Sequence, residues 1–201
     1  MSDRTSIHVG SDGVPRCAWA GDDLEYQRYH DEEWGRPLHG DRALFEKICL
    51  EGFQAGLSWI TILRRRPGFR EAFADFDPQS VASFRADDVM RLMEDTRIIR
   101  NRAKIEATIG NARALLALIG RDGDGALDRL VWSHAPEPPA PRPRSLSEVP
   151  AVTREATALS TALKREGFRF VGPTTMYALM QSAGLVDDHV VGCHRAHDTA
   201  N

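Results

Sequence analysis

Cysteine is scarce in this chain, long apolar runs are missing and positive charge is not in excess; each shortfall removes a class of protein. Three cysteines in 201 residues cannot pair evenly, and so few thiols argue against a disulfide framework, leaving burial or metal ligation. No stretch reaches the roughly 18 uninterrupted apolar residues of a membrane span, and the opening MSDRTSIHVGSDGVPR has no apolar centre of the kind a signal peptide needs. A soluble, cytoplasmic protein with no membrane partner is expected. The formal net charge of −3 does not announce a nucleic-acid binder, since such domains are often strongly basic.

What is present is unevenly distributed. Residues 1–35 carry eight acidic side chains against three basic ones, whereas residues 97–113 carry five basic ones (Arg97, Arg100, Arg102, Lys104, Arg113) against Glu106, and Arg64, Arg65 and Arg66 form a second basic cluster. Such runs mark either a solvated helix face or an electrostatic footprint for an anionic partner.

Apolar positions recur at spacings of three and four through residues 41–66, 88–93, 102–119 and 153–166, with no sustained alternation of period two, so the expected fold is all-α. Asp41 is placed to cap one helix, Pro67 and Gly68 to interrupt the next, and Asp77–Pro78 to open a short one. APEPPAPRPRS, with five prolines between 136 and 143, reads as an extended loop. With 42% apolar residues the chain can bury a real core, as one domain or two closely packed lobes. The expected organisation is an N-terminal tail over residues 1–15, a helical domain over 16–194 and a short tail over 195–201.

Two stretches stand out chemically. ICLEGFQAGLSWI (48–60) holds only Glu51, Gln54 and Ser58 as polar side chains, and as a continuous helix it would align them in a stripe beside Trp59. That stripe could face water. The glycines within it nevertheless cost about 1 kcal/mol each relative to alanine, and a close approach by a ligand or a neighbouring backbone would account for them. GFRFVGPTTMYALMQSA (167–183) reads as the turn and second helix of a helix-hairpin-helix, whose backbone donors suit a phosphate, although many αα-hairpins turn on glycine. By spacing alone His30 reads as a surface residue, Cys193 as a buried thiol and Cys49 as part of the core.

Read together, RCAW (16–19), YHDEEWG (29–35), LFEKICLEGFQAGLSWITIL (44–63), IIRNRAKIEATIGNA (98–112), GFRFVGPTTMY (167–177) and GLVDDHVVGC (184–193) resemble the DNA-3-methyladenine glycosylase I family of the helix-hairpin-helix superfamily, over nearly the whole chain. The resemblance implies a monomeric, monofunctional enzyme that flips N3-methyladenine out of double-stranded alkylated DNA and hydrolyses its glycosidic bond, with 3-methylguanine as a second candidate substrate. It implies one structural zinc on Cys17, His30, His189 and Cys193, joining the N- and C-terminal segments. A His-x3-Cys spacing would set two of these ligands on one face of a helical turn.

The same resemblance gives Glu51 the exocyclic amine of the base, Tyr29 a second polar contact and Trp59 a stacking wall, with Tyr26, Trp19 and Trp34 around them. A flipped base is read by edge hydrogen bonds and by stacking, and a carboxylate among electron-rich rings favours a cationic base. Asp187 falls where related enzymes carry a catalytic aspartate; it could steady an oxocarbenium-like sugar, or cap a helix or support His189, the reading preferred here. Backbone donors at Val171, Gly172 and Thr174 and the side chains of Arg100, Arg102 and Lys104 are the expected DNA contacts. Two other classes remain: an inactive zinc-stabilised DNA-binding scaffold, and a small-molecule enzyme with catalytic zinc. Four protein ligands would leave the latter no open position for water.

Overall fold

The apolar periodicity is realised as helices packed around one of their number. The structure, a computed structural model, describes residues 6–197. The helices are α1 (Leu24–Glu32), α2 (Asp41–Gln54), α3 (Trp59–Ala72), α4 (Pro78–Ala82), α5 (Ala86–Glu94), α6 (Arg102–Asp122), α7 (Ala126–Trp132), α8 (Arg154–Arg165) and α9 (Pro173–Ser182). α2 is buried nearly all round, as its apolar run from Leu44 to Phe53 requires, and it touches α3, α6, α7 and α9. α4 and α5 lie on the long α6, and α8 packs on α9.

The chain is not purely helical. A two-stranded antiparallel ribbon pairs β1 (Ile7–Val9) with β2 (Pro15–Cys17) in register Ile7 to Cys17. Strands of three residues are too short to show an alternating pattern, and their presence corrects the expectation of a loose tail through residue 15. At the other end, His194–His197 form a 3₁₀ turn. Residues 1–5 of the expected N-terminal tail and 198–201 of the C-terminal one lie outside the described residues.

Three local expectations are also revised. The Ile48–Ile60 stretch is not one helix: α2 stops at Gln54, a turn over residues 55–58 follows with Gly56 at φ +86°, and α3 begins at Trp59. Pro67 does not interrupt α3, because the buried side chains on either side of it, Ile62 and Leu63 before, Phe69 and Ala72 after, hold the helix together despite the missing donor. Asp41 is already the first residue of α2, behind Gly40. Its carboxylate accepts from the amides of Gly125 (2.8 Å) and Asp128 (3.0 Å), so it caps α7 rather than its own helix.

The turn between α8 and α9 is clamped from three helices. Asn111 of α6 bridges the backbone of Arg169, accepting from its amide (2.7 Å) and donating to its carbonyl (3.1 Å). Ser160 of α8 donates to the carbonyl of Val171 (2.6 Å). Gly52 of α2 admits the turn: a Cβ there would stand 3.2 Å from that of Phe170. The close backbone approach expected of a glycine in that helix is therefore met at Gly52.

Candidate active site

Glu51 lies inside the protein, 3% exposed, one turn before α2 ends. Its carboxylate accepts a hydrogen bond from the hydroxyl of Ser182 on α9 (3.0 Å) and opens on a cavity of about 330 Å³. Burial raises its pKa, partly opposed by the charge of Lys47 one turn earlier. The six residues assigned to base recognition, Trp19, Tyr26, Tyr29, Trp34, Glu51 and Trp59, all line this one cavity. They come from the segment after β2, from α1 and its end, and from either side of the turn between α2 and α3.

The rings form a continuous wall. Trp19 meets Tyr26 and Trp34 with centroids 5.0 Å apart in each pair, and Tyr29 meets Trp59 at 5.6 Å. Burial pushes the Tyr29 phenol well above its usual range, and the Tyr26 phenol upward as well, with the Glu51 charge adding to both. The indole nitrogen of Trp59 is buried with no hydrogen-bond partner among the described residues. A planar cation with a donor edge matches such a box: rings for its faces, one carboxylate for its edge.

Sequence reasoning missed part of the lining. Gln181, Ser182 and Asp188 also face the cavity. Asp188 accepts from Tyr177 Oη (2.5 Å) and Gln181 Nε2 (2.8 Å). Asp187 is not among the lining residues. It pairs with Arg142 of the proline-rich segment (2.6 Å) and accepts from the amide of His189 (3.2 Å), contacts in keeping with the preferred reading of a support for the histidine. Two adjacent aspartates in an irregular segment give no periodicity from which to tell inward from outward.

Cys17, His30, His189 and Cys193 converge on one buried point, their ligating atoms all within 4.8 Å of one another. Cys193 Sγ lies 3.4 Å from His30 Nε2 and 3.6 Å from His189 Nδ1, and Cys17 Sγ lies 3.7 Å from His189 Nδ1. A tetrahedral ion bound at 2.0–2.3 Å has ligand edges of roughly 3.6 Å, so two thiols and two imidazoles fit a zinc-sized ion. The remaining ring nitrogens are held from behind: His30 Nδ1 by Asp31 (2.8 Å) and His189 Nε2 by the carbonyl of Trp34 (3.3 Å). Burial alone would raise the Asp31 carboxyl, yet hydrogen bonds from Arg16, His30 and His194 hold it well below the usual carboxylate range. The His-x3-Cys pair is not helical. A turn closed by the Cys193 amide on the Val190 carbonyl (3.0 Å), with Gly192 at φ +93°, brings the two ligands together.

The expected DNA contacts divide. Arg100 and Arg102 are exposed, Arg102 beside Glu106 at 3.4 Å. Lys104 turns inward and donates to the carbonyls of Phe53 (2.9 Å) and Ala55 (2.7 Å), capping the end of α2, so it is a structural residue rather than a surface cation. The Val171 side chain is buried, while the amides of Gly172 and Thr174 head α9 without an acceptor among the described residues. Much of the second basic cluster is also answered from within: Arg64 pairs with Asp23 and Glu25, and Arg66 with Glu33.

The profile of the methyladenine glycosylase family matches residues 19–196. The chain is 51% identical over 181 residues to DNA-3-methyladenine glycosylase 1 of Escherichia coli, covering 90% of this chain and 96% of that protein. It is 49% identical to the Haemophilus influenzae DNA-3-methyladenine glycosylase, covering 89% and 96%. Among solved structures, a 3-methyladenine DNA glycosylase I superposes with a TM-score of 0.84 at 48% identity over 89% of this chain and 98% of that one. A Tyr→Phe variant of such an enzyme, solved in complex with 3-methyladenine, superposes with a TM-score of 0.83 at 37% identity over 89% and 96%. Matched along almost its entire length in both sequence and shape, the chain belongs to the methyladenine glycosylase family.

Proposed function

We propose that this chain is a monofunctional DNA glycosylase that extrudes N3-methyladenine from double-stranded alkylated DNA and hydrolyses its bond to the sugar. The observation that carries this reading is Glu51, a buried carboxylate facing an aromatic cavity. Glu51 accepts from the exocyclic amine and offsets the charge of the methylated base; Trp59 and the neighbouring rings stack on its faces, and Tyr29 supplies a further polar contact. The N9–C1′ bond breaks with its electron pair staying on the base, which leaves neutral as 3-methyladenine, and water adds at C1′ with loss of a proton. Because the leaving group is good, selective binding supplies much of the catalysis. 3-Methylguanine is a second candidate substrate.

α8, the clamped turn and α9 form the helix-hairpin-helix, with the amides of Gly172 and Thr174 and the exposed Arg100 and Arg102 meeting phosphates. Leu57, 42% exposed on the turn between Gln54 and Trp59, offers an apolar side chain to fill the gap left by the extruded base. Cys17, His30, His189 and Cys193 would hold one structural zinc, which supplies a cross-link and leaves no open position for chemistry. The working unit is a cytoplasmic monomer, residues 16–194 forming one domain extended at its N-terminal end by the β1 strand. An inactive scaffold of the same fold would have no use for a carboxylate held inside a ring of aromatics. Incubation with methylated DNA, followed by chromatography of the freed bases, tests the reading: release of 3-methyladenine is expected, and none from folded protein would overturn it.

A further inference from the structure

Behind the aromatic wall lies a second cavity of about 270 Å³, which shares Trp59 and Ser182 with the first and is lined also by Lys47, Glu33, Glu46 and Arg66. Lys47 is buried and reaches the wall from this side. Its ammonium donates to Tyr29 Oη (2.9 Å) and lies 4.4 Å from the ring centre of Trp59 and 4.9 Å from that of Tyr29. Glu33, just past the end of α1, is paired with Arg66 on α3, and Glu46 on α2 with Arg70 on α3. The charges at the wall with no ion-pair partner among the described residues are therefore Glu51 and Lys47, opposite in sign and one turn apart on α2, each partly offsetting the other.

We propose that Lys47 is a positioning residue for base release: seated behind Trp59 and Tyr29, its ammonium opposes positive charge on the bound base and is relieved as that charge passes to the sugar. The inference rests on the glycosylase reading above. When the N9–C1′ bond breaks, the bonding pair remains on N9, the base becomes neutral, and the positive charge resides on C1′ until water adds and gives up a proton. A fixed cation near the base but away from C1′ raises the energy of the starting complex more than that of the transition state, which lowers the barrier. An ammonium also cannot accept a hydrogen bond, so Tyr29 Oη accepts from it and keeps its own hydrogen to donate to the base. Burial lowers the Lys47 pKa to about 8, with Glu51 and Glu33 opposing and Arg66 assisting, so the group is charged at neutral pH and loses its charge just above.

The test compares Lys47→Met with the wild type by calorimetry, using neutral 3-methyladenine and the cation 3,9-dimethyladeninium, which carries a methyl group in place of the sugar. The variant should bind the cation about tenfold more tightly and the neutral base unchanged, and single-turnover excision from methylated DNA should slow about tenfold. Equal changes for both ligands, or an unslowed excision, would overturn the proposal, because a merely structural lysine would not separate the two charges. Should the variant fail to fold, the wild-type single-turnover rate at saturating protein decides: it should fall as pH rises through about 8, and a flat profile overturns the proposal. Absence of base release by the wild type would instead remove the glycosylase reading on which it rests.

Discussion

Replacing Glu51 by glutamine keeps the size of the side chain, removes its charge and leaves an amide oxygen to accept from the base. Charge-assisted hydrogen bonds contribute about 1.5–3 kcal/mol, so single-turnover release of 3-methyladenine should slow by roughly one to two powers of ten. The fold should survive, since a neutral amide is cheaper to bury than a carboxylate at a fully enclosed position. Asp188→Asn should slow release more than Asp187→Asn, because Asp188 faces the cavity and Asp187 faces Arg142; the opposite ranking would return the catalytic aspartate to position 187. At this scale the sequence revealed the aromatic types and Glu51 through their resemblance to a family. Lys47 and Ser182 went unseen, since a lysine on an otherwise apolar helix and a serine near a helix end look ordinary until packing turns them toward the same glutamate.

Helices as units were readable from their periodicity, but what happens at their ends was not. α3 continues through Pro67 and α2 stops before Trp59, in both cases because long-range packing overrides local preference: buried neighbours carry the first, and Lys104 on α6 takes the terminal carbonyls of the second. Nothing local to residues 55–58 announces a partner fifty positions away. This has a measurable consequence for the basic segment. Lys104→Met should cost about 1–3 kcal/mol of stability by orphaning two carbonyls, and should leave the salt dependence of DNA binding nearly unchanged. Arg100→Ala should spare stability and make that dependence shallower by about one ion. Thermal melts and salt titrations of both variants check the division; a stable Lys104→Met protein with a shallower salt slope would contradict it.

For the whole molecule, the charge asymmetry seen along the sequence turns out to be partly an internal matter, with Asp23 and Glu25 at the start of α1 and Glu33 just past its end meeting arginines of α3. Which charges neutralise each other is a property of the packing of elements, and linear order does not carry it. The union of the two ends was legible through the resemblance alone. Purified protein should carry one zinc per chain by elemental analysis, and zinc-free protein never exposed to chelator would refute the site. Cys193→Ser should lower the melting temperature by about 2–4 °C for each kcal/mol lost in a chain of this size, and should spare excision by the folded fraction.

The separation between Cys17 and His189, 172 residues, makes their meeting one of the longest-range events in folding. Loops of that length close late, after the helices have docked on α2. An ion gripped only once the ends have met contributes nothing to the barrier on the way in and must be released on the way out. Zinc should therefore act as a latch on escape: stopped-flow traces with and without chelator should show unchanged refolding rates and faster unfolding once the ion is gone. A chelator that slowed refolding instead would mean that the ends meet early, and that the molecule assembles from its edges inward.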